Sequence, residues 1–111
     1  MLDLTALIAY KDRDFNLSCC LASIEACKPR PHVIVVDFGS SKSIVKHMKQ
    51  YPSWLSVIRV TKNTDFFHKA RALNIGLKRI RTTFLCATDS DQIFQPNFFN
   101  VVYKTIKSNK L

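Results

Sequence analysis

Glycine is nearly absent from this 111-residue chain, with two residues, and proline is sparse, with four. That scarcity excludes collagen-like and low-complexity chains, and 47% hydrophobic residues exclude a disordered, solvating tail. No stretch of about 18 apolar residues occurs, so no membrane-spanning helix is expected; compact runs such as Val33–Val36 suit only a strand. Glutamate is all but missing: of eight acids, Glu25 is the one glutamate and seven are aspartates. The short aspartate carboxylate bonds local backbone in turns and loop ends, which is where the few negative charges are expected. The first ten residues place Asp3 before a short apolar run and carry no basic stretch, unlike a secretion signal. The expected location is cytoplasmic, with peripheral contact at a membrane as the other option. Cysteines stand at 19, 20, 27 and 86 without a CxxC, which supports neither a zinc site nor a redox pair; reduced, buried thiols are expected. The histidines at 32, 47 and 68 form no HxxxH or HExxH, and no GxSxG, phosphate-binding P-loop or GxGxxG is present.

What is abundant is positive charge. Seventeen Lys and Arg give a formal net charge of +9. Such an excess points to an anionic partner: nucleic acid, a phospholipid surface or the phosphates of a nucleotide. Against nucleic acid, the aromatics fall on apolar stripes rather than alternating with cations, so no stacking platform is evident.

The hydrophobic pattern alternates between two periods. Leu4–Tyr10, Val33–Val36, Leu55–Val60 and Thr83–Ala87 are continuous apolar runs, as expected of strands buried on both faces of a parallel sheet. Between them lie helical stripes. Leu17, Cys20, Leu21, Ile24 and Cys27 form one, stopped by Pro29 and Pro31. Ile44, Val45, Met48 and Tyr51 form a second, with Ser40 and Ser41 as capping candidates and Pro52 closing it. Phe66, Ala70, Leu73, Leu77 and Ile80 form a third, and Phe98, Phe99, Val102, Tyr103 and Ile106 a fourth, with Pro96 near its first position. The order β-α-β-α-β-α-β-α predicts a single α/β domain, a Rossmann-like mostly parallel sheet with alternating helices. Ligands of such sheets sit at the carboxyl ends of the strands. The segments to inspect are therefore Tyr10–Arg13, Asp37–Ser41, Thr61–Lys69 and Asp89–Asp91.

Asp89-Ser90-Asp91 follows the last strand. Two hard carboxylates together favour a divalent cation such as Mg²⁺ or Mn²⁺ that keeps open positions for phosphate oxygens; the plain alternative is a polar turn. Asp37, at the tip of its strand before Gly39 and Ser40, either accepts hydrogen bonds from a ribose hydroxyl or base, or caps its own turn. Lys69 and Arg71 fall in the first turns of the third helix, where N–H groups and cations suit a diphosphate. Lys78, Arg79 and Arg81 lie near its C-terminus as dipole-complementing, solvated charges. Gly76 costs a helix about 1 kcal/mol relative to Ala, which predicts close packing on the sheet. Trp54 is expected in the core.

In series, these segments resemble the nucleotide-binding half of a family 2 glycosyltransferase with the GT-A fold. The likeness runs from Ala6–Arg13, similar to the family's first strand and TYNR-like turn, through VIVVDFGSS and ARALNIGLKR to ATDSD and IFQPNFF. Asp89-Ser90-Asp91 stands where the family has its metal-binding DxD. The resemblance implies a nucleoside-diphosphate sugar donor of the UDP type. Tyr10 would bracket the base, and Asp37 would bond base or ribose. Arg71 and Asn74 would face the donor, with Lys69 or Arg71 adding positive charge. Asp91 and Asp89 would hold a Mn²⁺ or Mg²⁺ ion bridging the phosphates. Three departures stand out: Phe38 replaces a second aspartate, Lys11 follows Tyr10, and Ala72-Leu73-Asn74 displaces the arginine to Arg71.

Asp89 and Asp91 are the last acids, so the acceptor-activating base is expected beyond Leu111. The acceptor, whether glycan, lipid or protein, is left open. The alternatives are a non-catalytic nucleotide-binding module, half of a split enzyme completed by another chain or a second copy, and a small basic nucleic-acid binder.

Overall fold

The computed structural model describes residues 1–41 and 51–108. The elements run β1 (Leu4–Tyr10), α1 (Asp14–Glu25), β2 (His32–Phe38), β3 (Leu55–Val60), α2 (Lys69–Leu77), β4 (Phe84–Asp89) and α3 (Phe98–Ser108). The predicted Ile44–Tyr51 stripe lies outside the described residues, except for Tyr51. The four strands form one sheet in the order β3-β2-β1-β4, with every pair parallel. This is the predicted α/β architecture.

Alternation across β1 splits the core in two. Leu4, Ala6, Ile8 and Tyr10 point to one face, with Val33, Val35 and Leu55, against Leu17, Cys20 and Ile24 of α1 and Phe99 of α3. Leu7 and Ala9 point to the other, with Ile34, Val36 and Phe38, against Ala72 of α2. Helices therefore cover both faces of β1 and β2, and these two strands are buried along almost their whole length. β3 and β4 depart from the expectation of two-sided burial: they are the sheet's outer strands, and Leu85 of β4 is 41% exposed. A continuous apolar run signals a strand but does not say how many helices reach it.

Gly76 performs the predicted packing role. A Cβ there would lie 2.4 Å from Leu7 Cδ1 and 3.0 Å from Val36 Cγ2, so α2 approaches the sheet more closely than any side chain allows. The third helical stripe is shorter than its periodicity suggests. α2 begins at Lys69, and Phe66 and Phe67 belong to the preceding loop, with Phe66 86% exposed. His68 caps the helix, its Nδ1 accepting from Arg71 N at 3.2 Å. Capping, rather than the apolar stripe, sets the helix start. Lys78, Arg79 and Arg81 fall just past the last turn, and all three are exposed. Trp54 is buried as predicted. The four cysteines are free thiols; Cys20 and Cys27 are buried, Cys19 and Cys86 only partly. Burial pushes the Cys20 thiol up to about 11.

Candidate functional site

A sheet ordered 3-2-1-4 reverses its winding direction between β1 and β4. The loops leaving the two strands lead to α1 and α3, which pack on the same face, and a crevice opens between those loops at the strands' carboxyl ends. A cavity of about 400 Å³ occupies that position. Ala9 and Tyr10 close β1 at its floor, Lys11, Asp12, Arg13 and Asn16 form one wall, and Asp89, Ser90 and Asp91 form the other, with Phe67 reaching in from the α2 side. The two aspartates singled out by spacing thus line one cavity. Register places Ala9 beside Asp89 and Tyr10 beside Asp37, so the acidic strand tips flank β1 on either side. Their strands lie two steps apart, about 10 Å.

The loops around the crevice are tied to one another. Asp12 adopts a left-handed backbone, φ 55°, which aspartate tolerates better than most side chains. Its Oδ1 accepts from Ser41 N at 2.8 Å and Ser41 Oγ at 3.1 Å, and its own N–H donates to Ser40 Oγ at 2.9 Å. Lys11 Nζ donates to Thr64 O. The β1, β2 and β3 loops are therefore laced together through Lys11, Asp12, Ser40, Ser41 and Thr64. Gly39 sits at the tightest point, φ 71°, where a Cβ would come within 2.2 Å of Thr64 Oγ1.

The remaining predicted residues divide. Lys69 joins the site: its Nζ donates to Asp89 Oδ1 at 2.6 Å, with both side chains about half exposed. Tyr10 reaches the cavity, but its ring is 1% exposed and packs in the α1–α3 core. Asp37 is fully buried and does not line the cavity. Its Oδ1 accepts from Ser40 N at 3.0 Å, the turn-capping alternative, while Oδ2 sits 3.3 Å from Arg59 Nε without an aligned hydrogen bond. Arg71 spends its guanidinium on the backbone, donating to Asn63 O at 2.9 Å and Lys62 O at 3.1 Å. It lies 5.2 Å over the Phe38 ring and lines a neighbouring cavity with Asn63, Asp65, Phe66, Phe67 and His68. Asn74 is exposed on α2 and lines neither cavity.

Among the described residues no cluster of three His, Cys, Asp or Glu side chains could hold a metal by itself. The donor set, Asp89 and Asp91, fits a hard cation that takes its other ligands from phosphate and water, the usual mode for Mg²⁺ at phosphate sites.

Residues 6–111 match the profile of Glycosyl transferase family 2. The chain belongs to that family. No curated protein matches the sequence. Among solved structures, the fold is similar to S. aureus TarS 1-349, with a TM-score of 0.80 at 18% identity. The match covers 96% of this chain and 32% of that one. The complex of TarS 1-349 with UDP-GlcNAc is similar at a TM-score of 0.78 and 19% identity, covering 96% and 31%. The complex with UDP gives 0.79 and 18%, covering 96% and 32%. At these identities the likeness establishes the fold, and the chain spans about a third of the TarS chains it matches.

Membership in this glycosyl transferase family puts the departures in structural context. Phe38 is fully buried, its ring in edge contact with Phe67 at 6.0 Å between centroids. Phe67, Asn16 and Arg13 contribute to the cavity without having been singled out as individual site residues. Asn16 stands half-buried on the first turn of α1, and no local pattern separates such a residue from any other polar helix position.

Proposed function

We propose that this chain is the donor-binding part of a sugar-transferring enzyme, taking a UDP-type nucleoside-diphosphate sugar in the crevice between β1 and β4. The observation that carries this reading is the convergence of Asp89, Asp91, Lys11 and Arg13 on one cavity at the sheet's switch point. The diphosphate would lie toward Asp89 and Asp91, which would hold Mn²⁺ or Mg²⁺ together with phosphate oxygens. When bound, that ion supplies charge neutralisation for the departing diphosphate. Lys69, at the first turn of α2, adds a cation and sits beside helix N–H groups that favour anions. Phe67 and the end of β1 at Tyr10 would flank the base. Asp37 acts on the donor through the Ser40 turn that it holds in place, and Arg71 through the Lys62–Asn63 backbone that it braces. Asn74 would meet the donor only through a movement of α2, and we assign it no direct contact.

Calorimetric titration of UDP and of UDP-GlcNAc, the ligand in the similar TarS structure, tests this with and without Mn²⁺. Metal should strengthen binding, and Asp91→Ala should weaken it at least about tenfold, ~1.4 kcal/mol. Equal affinity with and without metal, unchanged in Asp91→Ala, overturns the reading.

A second reading has its own observation. The cavity's third carboxylate, Asp12, is tied to Ser41, and Asp89 and Asp91 are assigned to the metal. None of the three is placed to deprotonate an acceptor hydroxyl, so these residues alone would bind a donor without transferring its sugar. The glycan, lipid or protein acceptor and the general base would then come from further chain, a partner or a second copy. Sustained sugar transfer or hydrolysis by the 111-residue chain removes this second reading.

A further inference from the structure

A lysine at the first position of α2 runs against helix electrostatics. The N-terminal end carries about half a positive charge and favours an acid, yet the first turn of α2 has none. It holds Lys69 and Arg71 instead. Arg71 is absorbed by backbone carbonyls. Lys69 is balanced by Asp89 at 2.6 Å, one of two salt bridges among the described residues. The other, Arg59 with Asp37, lies across the sheet from the crevice wall formed by β4.

This pairing occupies one of the two carboxylates assigned to the metal. A carboxylate cannot hold an ammonium and a divalent ion together without bringing like charges into close range. A diphosphate changes the balance, because it offers the ammonium and the helix N-terminus a better anion. We propose that Lys69 is a positioning residue that guards Asp89: its ammonium shields the carboxylate from free metal and transfers to the donor diphosphate when the nucleotide arrives. Metal and nucleotide therefore enter as a coupled pair, each raising the other's affinity by the same factor. The inference rests on the donor reading above and adds to it the order in which the site fills. Both side chains are about half exposed, so solvent keeps the effect moderate.

The test measures Mn²⁺ binding to the full chain by the spin-resonance signal of free ion, with and without UDP. In the unaltered chain, Mn²⁺ alone should bind weakly and UDP should tighten it. Lys69→Met should bind Mn²⁺ alone roughly two- to fivefold more tightly, with a smaller effect of UDP, because the guard is gone. Lys69→Arg should behave like the unaltered chain. Circular dichroism confirms that each variant is folded, and Lys69→Gln replaces the methionine variant if that one is not. If the unaltered chain shows UDP-enhanced Mn²⁺ binding but neutral variants bind Mn²⁺ alone no better, the guard is overturned and the donor reading stands. If UDP does not enhance Mn²⁺ binding in the unaltered chain, both fall.

Discussion

Asp12, Asp37 and Asp89 show one residue type put to three uses. Asp12 laces two loops, Asp37 caps its own turn from full burial, and Asp89 faces an open crevice beside a lysine. Their surroundings, not their identity, assign the roles. Gly39 is the residue on which this lacing turns. Gly39→Ala would force a side chain into the left-handed region and against Thr64, at a cost of about 1–3 kcal/mol, measured as a lower denaturation midpoint. Cys20 offers a pH test. Its thiol holds its proton to about 11 in the folded protein, against 9.0 ordinarily, because burial disfavours the thiolate. Since the folded value is the raised one, the contribution to stability is intact below pH 9 and is lost as pH rises from 9 toward 11. Thermal melts should fall across that window, and Cys20→Val should flatten the fall.

At the scale of elements, α2 is the piece that joins core to site. Gly76 lets its last turn sink onto Leu7 and Val36, while His68, Lys69 and Arg71 fix its first turn beside the crevice. Gly76→Ala would gain about 1 kcal/mol of helix propensity and lose more to overpacking, typically 1–3 kcal/mol. Leu7 is 1% exposed and has no room to turn away. The expected result is net destabilisation, partly relieved by Leu7→Ala in the same chain, as a double-mutant cycle in urea would show. This helix also shows what periodicity can and cannot convey. Its apolar spacing was legible at Leu73 and Ile80, which pack on the core, but Ala70 and Leu77 are exposed and Phe66 continued the pattern while lying in a loop. A hydrophobic stripe does not record where a capping side chain ends the helix.

At the scale of the whole molecule, the outer strands carry the consequence. β4 presents Leu85 on the α2 side of the sheet, beyond the part that α2 covers over β1 and β2, and its outer edge has no strand partner among the described residues. Such a surface favours self-association. Leu85→Lys should lower it in sedimentation experiments while changing stability by no more than about 0.5 kcal/mol. No helix among the described residues is long and apolar enough to cross a membrane.

The α/β class, the four strands, the glycine beneath α2 and the Asp89–Asp91 pair were determined by the sequence itself. Each depends on local period or on a motif read against its neighbours. The order β3-β2-β1-β4, the crevice it opens, the burial of Asp37 and Tyr10, the diversion of Arg71 to backbone carbonyls and the Lys69–Asp89 bond were decided only by the tertiary structure. These are pairings between residues far apart in the chain. Their energies depend on which groups the folded sheet brings within reach, and a linear pattern carries no term for that.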